Sequence, residues 1–197
     1  MKPLILASSS PRRRELLAQM GLPFSVCSVD VDESVHPGEQ PAAYVERLAR
    51  DKALTGYRRP EAQGALVLGS DTTVVLGDRI MGKPADRAEA VAMLQALSGE
   101  THRVMTAVAL AGDFGCYARL SVTEVSFRPL TAQEITAYCD TDEPLDKAGS
   151  YGIQGRGGIF VSGLWGSYSG VVGLPLQETA ELLAEAGQPV WRYWHAS

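Results

Sequence analysis

An acidic residue stands in the middle of a strongly apolar stretch of the chain. Asp71 lies within Leu66–Leu76, where its polar neighbours are Ser70, Thr72 and Thr73 and the remaining residues are Leu, Val or Gly. A carboxylate buried in a strand costs free energy unless it is paired, bound to a metal or used in catalysis. Asp71 is therefore a candidate catalytic residue, and structural pairing within the core is the alternative.

Hydroxyl and guanidinium groups follow the first apolar run of the chain. The segment reads Ser8, Ser9, Ser10, Pro11, Arg12, Arg13 and Arg14. At the junction of a strand and a helix, this composition places hydroxyls, free helix N–H groups and guanidinium forks together, which suits the phosphates of a ligand. The alternative is an ordinary helix start, with Ser10 as the N-cap and Pro11 in the first turn, followed by solvated arginines.

Three further charged residues extend this pattern. Glu33 ends the acidic stretch Asp30–Glu33 and can offer oxygen ligands to a hard cation. Lys52 falls at the edge of the apolar face of a predicted helix, from which its long amine can reach inward, and Lys83 stands in a rigid loop between a glycine and a proline. Each basic residue alone is typical of a solvated surface. Together with Asp71, however, they describe an acid pair surrounded by cations, as expected for metal-assisted attack on a phosphate ester.

One familiar phosphate-binding motif is excluded. Residues 77–83 match the GxxxxGK opening of a P-loop, but Pro84 follows where that motif needs Ser or Thr. Proline has no hydroxyl for Mg²⁺ and no N–H for a phosphate. We therefore expect no P-loop in this chain.

The elements that position these residues alternate between strands and helices. The apolar runs predict strands at Leu4–Ala7, Phe24–Val29, Leu66–Leu76, Val104–Ala111, Cys116–Phe127, Ile159–Leu164 and Tyr168–Val172. Helical periodicity and capping residues predict helices at Arg12–Met20, Ala42–Gly56, Asp86–Leu97 and Thr131–Asp140, and after Pro175. This alternation favours an α/β or α+β fold built on one mixed, twisted sheet that is flanked by helices.

Composition limits the class of protein. The chain has 197 residues, 45% of them hydrophobic and 21% charged, which excludes wholesale disorder and fits one domain or two lobes that share a core. A net charge of −5 is opposite to that of a non-specific nucleic-acid binder, so we expect no nucleic-acid partner. No apolar run approaches the roughly 20 residues of a membrane span, and the apolar stretch at the N-terminus is too short for a signal peptide. We therefore expect a cytoplasmic protein that does not bind membranes.

Seven segments, in order over nearly the whole chain, carry a family resemblance. They are Leu6–Arg13, Val31–Glu33, Arg47–Ala53, Gly69–Thr72, Gly82–Pro84, Asp146–Gly155 and Val172–Pro175. In these segments the sequence resembles the Maf family of nucleotide pyrophosphatases, which are similar in fold to the inosine-triphosphate pyrophosphatases. The resemblance implies hydrolysis of a nucleoside triphosphate between the α- and β-phosphates. It also implies a divalent cation (Mg²⁺ or Mn²⁺), a single domain over residues 1–197 with two lobes and a central cleft, and commonly a homodimer.

The resemblance also assigns roles to individual residues. Asp71 falls at the proton acceptor of the family, and Asp71 and Glu33 are the candidate metal ligands. Whether Asp71 acts as base, ligand or both stays open, and Glu33 can share either role. The candidate substrate-binding residues are Ser8, Ser10, Arg12, Arg13, Lys52, Thr72, Lys83 and Gln154.

Three of these positions separate branches of the family. Arg12, Thr72 and Gln154 match the branch that acts on dTTP and UTP, whereas the branch that prefers 7-methyl-GTP carries Trp, Gln and Glu there. A glutamine amide offers a donor and an acceptor, which can match N3–H and a carbonyl oxygen of uracil or thymine. The sequence thus predicts hydrolysis of dTTP and UTP, with modified pyrimidine nucleotides as further candidates. The alternatives are a 7-methyl-GTP pyrophosphatase and a non-catalytic, nucleotide-sensing regulator of cell division.

Overall fold

The computed structural model describes residues 2–194, and within them seven strands form one mixed sheet. The strands are β1 (Leu4–Ala7), β2 (Ser25–Cys27), β3 (Leu66–Leu76), β4 (Arg79–Met81), β5 (Thr101–Gly112), β6 (Gly115–Phe127) and β7 (Val161–Trp165). Their order is β2-β1-β3-β5-β6-β7, with β4 paired to β3. β1 runs parallel to both of its neighbours, and the other pairs are antiparallel. The predicted mixed sheet is confirmed.

Helices pack around this sheet and begin largely where the capping residues predict. They are α1 (Pro11–Gln19), α2 (Pro41–Tyr57), α3 (Arg87–Leu97), α4 (Ala132–Cys139), α5 (Tyr168–Val172) and α6 (Leu176–Glu185). Asp86 caps α3 through the Glu89 N–H, and Thr131 and Glu134 form a reciprocal capping box on α4. In the part of the chain that the structure describes, no helix is both long and apolar enough to cross a membrane.

One predicted strand is wrong. Tyr168–Val172 forms α5, because the chain turns away from the sheet at Gly166, whose φ is 132°. Beyond that turn the segment has no neighbouring strand to pair with, so its backbone bonds within a helical turn instead. The side chain of Ser167 accepts a hydrogen bond from the Gly170 N–H and caps this turn.

Two other predicted strands are shorter than expected, and one was missed. β2 covers only Ser25–Cys27, and β7 begins at Val161 because Arg156–Phe160 forms a 3-10 turn. β4, which pairs with the end of β3, was not predicted because its three residues are too few to show a period. These differences lie at the edges of the sheet and leave its centre as predicted.

α2 lies unusually close to the central strand β3. A Cβ added at Gly69 would lie only 2.5 Å from the backbone nitrogen of Ala53, so the helix backbone rests directly on this glycine. The close approach brings Lys52, on the same turn of α2, next to Asp71 on β3. A glycine two residues before Asp71 thus sets the distance between the helix and the buried acid.

Candidate active site

A cavity of about 620 Å³ opens beside the centre of β3. Every site residue that the sequence predicts, except Ser8, lines it. Those residues come from α1, the loop before α2, α2 itself, β3, the loop after β4 and the segment before β7. The fold therefore gathers in one place residues that are up to 144 positions apart, from Ser10 to Gln154.

Five charged residues form one side of this cavity, which we call the charged wall: Arg13, Glu33, Lys52, Asp71 and Lys83. The Lys52 Nζ lies 2.7 Å from Glu33 Oε1 and 2.7 Å from Asp71 Oδ1. The side chains of Lys52 and Asp71 are each 11% exposed, whereas that of Glu33 is 51% exposed. Asp71 is therefore paired in the interior, as the structural alternative requires, and it also faces the cavity, as catalysis requires.

The loop that carries Glu33 is tied to α2. The Tyr44 hydroxyl donates a hydrogen bond to the backbone oxygen of Glu33 at 2.9 Å, and the Arg47 guanidinium donates to the backbone oxygen of Ser34 at 2.9 Å. Burial raises the pKa of Glu33, but the hydrogen bond and charge of Lys52, with the more distant cations, outweigh it and leave the pKa below its usual value. Glu33 is therefore ionised at neutral pH.

Arg13 is held by backbone and hydroxyl oxygens rather than by a carboxylate. Its Nε donates to the Gly173 oxygen at 2.8 Å and its Nη2 to Thr72 Oγ1 at 3.3 Å. The same Gly173 oxygen accepts a hydrogen bond from Ser70 Oγ at 3.0 Å. Desolvation lowers the pKa of Arg13, which Asp71 partly opposes, but a guanidinium stays charged in proteins. Among residues 2–194, no carboxylate lies within 4.0 Å of this cation, so its charge is available to a ligand.

The serines before α1 shape the turn. The Ser10 side chain accepts from the Arg13 N–H at 3.4 Å and caps the helix, as predicted, while it also lines the cavity. Ser8 is buried, accepts from the Ser10 N–H at 3.2 Å and does not line the cavity. The geometry therefore gives Ser8 a part in the turn, and its contact with substrate stays a prediction.

Nine residues between Glu143 and Gly155 also line the cavity, and we call the segment 143–155 the loop wall. It contains two short 3-10 turns, Glu143–Asp146 and Ala148–Ser150, and Gln154 is exposed beyond them. Asp146 Oδ2 lies 3.5 Å from Arg12 Nη1 on α1. The loop wall thus places Gln154, which is exposed, at the mouth of the cavity that the charged wall also lines.

Six polar residues that line the cavity were not predicted as site residues: Tyr44, Thr73, Glu143, Asp146, Lys147 and Tyr151. Asp146 and Lys147 fall within a segment that carries the family resemblance, which is a signal that could have found them. Tyr44 shares an apolar helix face with Val45 and Leu48, a spacing typical of a core residue rather than a site residue. The sequence holds no signal for Glu143, because its surroundings come from a loop that folds back on it.

The family model described as "Maf-like protein" matches residues 3–186. The chain belongs to the Maf-like family. Relatives named dTTP/UTP pyrophosphatase include proteins of Hahella chejuensis (53% identical; 95% of this chain, 94% of that one) and Saccharophagus degradans (55%; 96% and 91%). Another relative with this name, from Bordetella avium, is 56% identical and covers 93% of this chain and 95% of its own. The resemblance stated from the sequence is confirmed.

One solved structure shows a partial likeness to this Maf-like chain. It is described as a nucleoside-triphosphatase and dITP/XTP pyrophosphatase from Mycobacterium abscessus. It is 19% identical, covers 66% of this chain and 76% of that one, and has a TM-score of 0.42. We infer nothing about function from a likeness of this size.

The divalent cation that the family resemblance implies stays a prediction, and two carboxylates of the cavity could supply ligands for it. Within residues 2–194 no group of three or more His, Cys, Asp or Glu side chains is arranged to hold a metal ion alone. Mg²⁺ commonly binds through one or two carboxylates together with substrate phosphates. Glu33 and Asp71 are the two carboxylates that contact the Lys52 ammonium at the cavity surface, and they match that donor set.

Proposed function

We propose that this Maf-like protein is a nucleoside triphosphate pyrophosphatase that hydrolyses dTTP and UTP to the monophosphate and pyrophosphate. The charged wall carries the proposal, because it combines a buried carboxylate with cations that can bind phosphate. Arg13 and Lys83 have no carboxylate within 4.0 Å among the described residues, while Asp71 lines the same cavity. The names of relatives that are 50–56% identical support this substrate choice.

In the proposed reaction, a water oxygen attacks the α-phosphorus and Asp71 accepts its proton. A bond forms from the water oxygen to phosphorus, and the bond from phosphorus to the α,β-bridging oxygen breaks. Pyrophosphate leaves with that electron pair, and the charges of Arg13 and Lys83 stabilise it. Lys52 holds Asp71 and Glu33 in position at 2.7 Å from each.

A divalent cation, Mg²⁺ or Mn²⁺, is part of the proposal. Glu33 and Asp71 would hold it together with phosphate oxygens of the substrate. When bound, it would neutralise phosphate charge and favour the ionised form of the attacking water. The low pKa of Glu33 supports this role, since only an ionised carboxylate binds such a cation well.

Base selection is assigned to the loop wall and its neighbours. Gln154 lies exposed at the cavity mouth, where its amide can donate and accept. Thr72 and Arg12 line the cavity nearby, and Thr72 Oγ1 accepts from the Arg13 guanidinium. This arrangement supports a pyrimidine as the base.

A panel of nucleoside triphosphates tests the proposal. We expect the purified protein with Mg²⁺ or Mn²⁺ to release pyrophosphate from UTP and dTTP with kcat/KM at least about tenfold above that for ATP, GTP and 7-methyl-GTP. The Asp71→Asn variant, purified in the same way, measures the background. A preference for 7-methyl-GTP would favour the alternative substrate, and binding of nucleotides without release of pyrophosphate from any of them would favour a sensor.

We also propose a homodimer and one domain with two lobes, on the family resemblance alone, and we retain as a proposal the cytoplasmic location predicted from the sequence. Light scattering after gel filtration tests the dimer. A mass equal to one chain at micromolar concentration would contradict it.

A further inference from the structure

The segment Tyr151–Gly157 wraps around one carboxylate, that of Glu143. Oε1 of Glu143 accepts a hydrogen bond from the Gly157 N–H at 3.0 Å and one from the Tyr138 hydroxyl at 2.9 Å. Oε2 accepts a hydrogen bond from the Arg156 N–H at 3.0 Å. Both oxygens are therefore engaged by the protein, and both backbone donors belong to the 3-10 turn that directly follows the loop wall.

Tyr138 holds the other end of the same segment. Its hydroxyl oxygen accepts a hydrogen bond from the Gly152 N–H at 3.2 Å. Its ring packs edge-on against Phe160, with ring centroids 5.0 Å apart, so the phenol is fixed from a second side. Glu143 and Tyr138 together bind the backbone on both sides of Gln154, which remains exposed between them.

The glycines of this segment leave room for the two side chains. A Cβ added at Gly155 would lie 2.6 Å from Glu143 Oε2, and one added at Gly157 would lie 2.8 Å from the Tyr138 hydroxyl oxygen. Distances this short force a neighbouring atom to move. The loop therefore has one close-fitting arrangement around the carboxylate rather than several loose ones.

Burial raises the pKa of Glu143, but the N–H groups of Gly157 and Arg156, the Tyr138 hydroxyl and Lys147 outweigh it, so its pKa is lowered. Glu143 is thus ionised at neutral pH. An ionised carboxylate accepts hydrogen bonds only, which matches the three donors around it.

We propose that Glu143 is a positioning residue for base selection: through Tyr138 and the backbone of residues 152–157, it fixes Gln154 at the cavity mouth. The inference rests on the proposed pyrophosphatase function and adds to it a residue that contacts the loop rather than the reacting atoms. Loss of this carboxylate changes which base is accepted, while the charged wall and its chemistry stay in place.

The first test replaces Glu143 with an isosteric amide. Glu143→Gln keeps the size of the side chain but turns an N–H donor toward a backbone N–H, so the loop loses its arrangement. We expect kcat/KM for UTP to fall about tenfold and the ratio of UTP to ATP to fall at least about fivefold. Amide exchange at residues 152–157 should become faster.

Glu134→Gln is the matched control. Glu134 also accepts a hydrogen bond from a backbone N–H, that of Thr131 at 2.9 Å, and one from an arginine, Arg128, but it does not line the cavity. We expect this variant to keep the UTP-to-ATP ratio within about twofold of the wild type. Any loss of thermal stability that it shows measures the cost of losing a backbone-binding carboxylate elsewhere.

A second variant keeps the proposal testable if Glu143→Gln does not fold. Tyr138→Phe removes one hydroxyl and keeps the ring against Phe160. We expect the UTP-to-ATP ratio to fall about threefold, because only the contacts to Gly152 and Glu143 are lost. Tyr57→Phe is the control for this variant, because the Tyr57 hydroxyl donates a hydrogen bond to Asp113 away from the cavity.

An unchanged ratio in folded Glu143→Gln or Tyr138→Phe, or an equal loss for all triphosphates, would overturn the inference. So would unchanged amide exchange at residues 152–157. Failure of the proposed function is seen separately, in the wild type alone, as no release of pyrophosphate from UTP or dTTP.

Discussion

The charged wall takes its key side chains from regular elements, whereas the loop wall is made of short turns and an irregular segment. Asp71 stands in the middle of β3, Lys52 on α2 and Arg13 on α1. Residues 143–155 instead run through two 3-10 turns and an irregular segment. Ion pairs and the contact of α2 with Gly69 hold the charged wall together. The loop wall is held by a hydrogen bond from the Gly152 N–H to Tyr138 and by one from the Gly157 N–H, just beyond the wall, to Glu143.

We infer from this difference that the charged wall serves the reaction and the loop wall serves base selection. Side chains on a central strand and packed helices are held in fixed positions, which suits a reaction that needs defined distances. A loop held by a few hydrogen bonds can change shape or sequence without disturbing the sheet. Changes in the charged wall should therefore affect all triphosphates alike, and changes in the loop wall should affect them unequally.

The largest loss of activity is expected from a change of Asp71, the buried carboxylate of the charged wall. Asp71→Asn is nearly isosteric, but an amide cannot accept a proton at neutral pH. We expect kcat/KM to fall at least about 100-fold for every triphosphate, with the melting temperature close to that of the wild type. Asp113→Asn, an exposed acid paired with Lys2, is the control. Near-normal turnover by folded Asp71→Asn would remove Asp71 from the mechanism.

The same wall can be weakened at the cation shared by its two acids. Lys52→Met keeps a long side chain but leaves Glu33 and Asp71 without their common partner. We expect kcat/KM to fall about 10- to 100-fold for all triphosphates alike. The pKa of Glu33 should rise, since Lys52 lowers it, so the acidic limb of the pH–rate profile should move to higher pH.

Lys2→Met serves as the control for that variant, because Lys2 forms an exposed pair with Asp113 at 2.9 Å. Its pH–rate profile should match that of the wild type. An acidic limb that stays in place in Lys52→Met would show that Glu33 does not govern it.

A change of Gln154 tests whether the loop wall selects the base. Gln154→Glu removes the amide donor and adds a negative charge near the base. Because Gln154 is exposed without substrate, we expect a moderate loss, about 5- to 20-fold in kcat/KM for UTP and dTTP, and a smaller loss for 7-methyl-GTP. Kinetics with the three substrates and a melting curve test this. Equal losses for all three would assign Gln154 to the turn and not to the base.

Acid should destabilise the fold through His102, a buried residue that contacts Tyr151 of the loop wall. His102 is buried, its Nε2 lies 2.8 Å from the Tyr151 hydroxyl, and burial lowers its pKa to about 4. The pKa of His102 is 6.5 in the unfolded chain, so below this pH the unfolded chain takes up a proton that the folded chain does not. The free energy of unfolding therefore decreases as the pH falls, and it levels off below about pH 4. Between pH 7.5 and 5.5 we expect the free energy of unfolding to decrease by about 1 kcal/mol from this group.

Urea denaturation at the two pH values measures this decrease. The His102→Gln variant should lack it, whereas His36→Gln, which replaces an exposed histidine, should retain it. The carboxylates whose pKa is held near 2, Glu39 and Glu134, destabilise the fold only at lower pH. A slope that His102→Gln leaves unchanged would contradict the prediction.

The centre of the fold and the charged wall were largely predictable from the sequence. β3 has the predicted bounds, because a buried strand shows a continuous apolar run that the polar pair around Asp71 interrupts. Ser10 and Thr131 cap helices as predicted, since capping depends on residues a few positions apart. What the spacing could not show is the contact of Lys52 with Asp71, which depends on how closely α2 approaches Gly69.

The loop wall was less predictable, for a physical reason. In the sequence, Glu143 resembles an ordinary surface acid. Its hydrogen bonds come from the backbone N–H groups of Arg156 and Gly157, which fold back on it, and local propensity does not encode that contact. The wrong strand at Tyr168–Val172 has the same origin, because the turn at Gly166 that precedes it lies against Thr123, whose Oγ1 accepts a hydrogen bond from the Ser167 N–H at 2.9 Å. Irregular segments are fixed by tertiary contacts, and pattern reasoning misses those.

The backbone oxygen of Gly173 joins α1 to β3, although it lies near the end of the chain. It binds Arg13, 160 positions earlier, and Ser70, 103 positions earlier. Contacts across such distances close large loops and form slowly, and the amino-terminal part of a chain leaves the ribosome first. We therefore expect the Arg13 side chain to become ordered in one of the last steps of folding. A nascent chain that ends before residue 173 would carry every acid and base of the charged wall and still lack one of the two oxygens that orient its arginine.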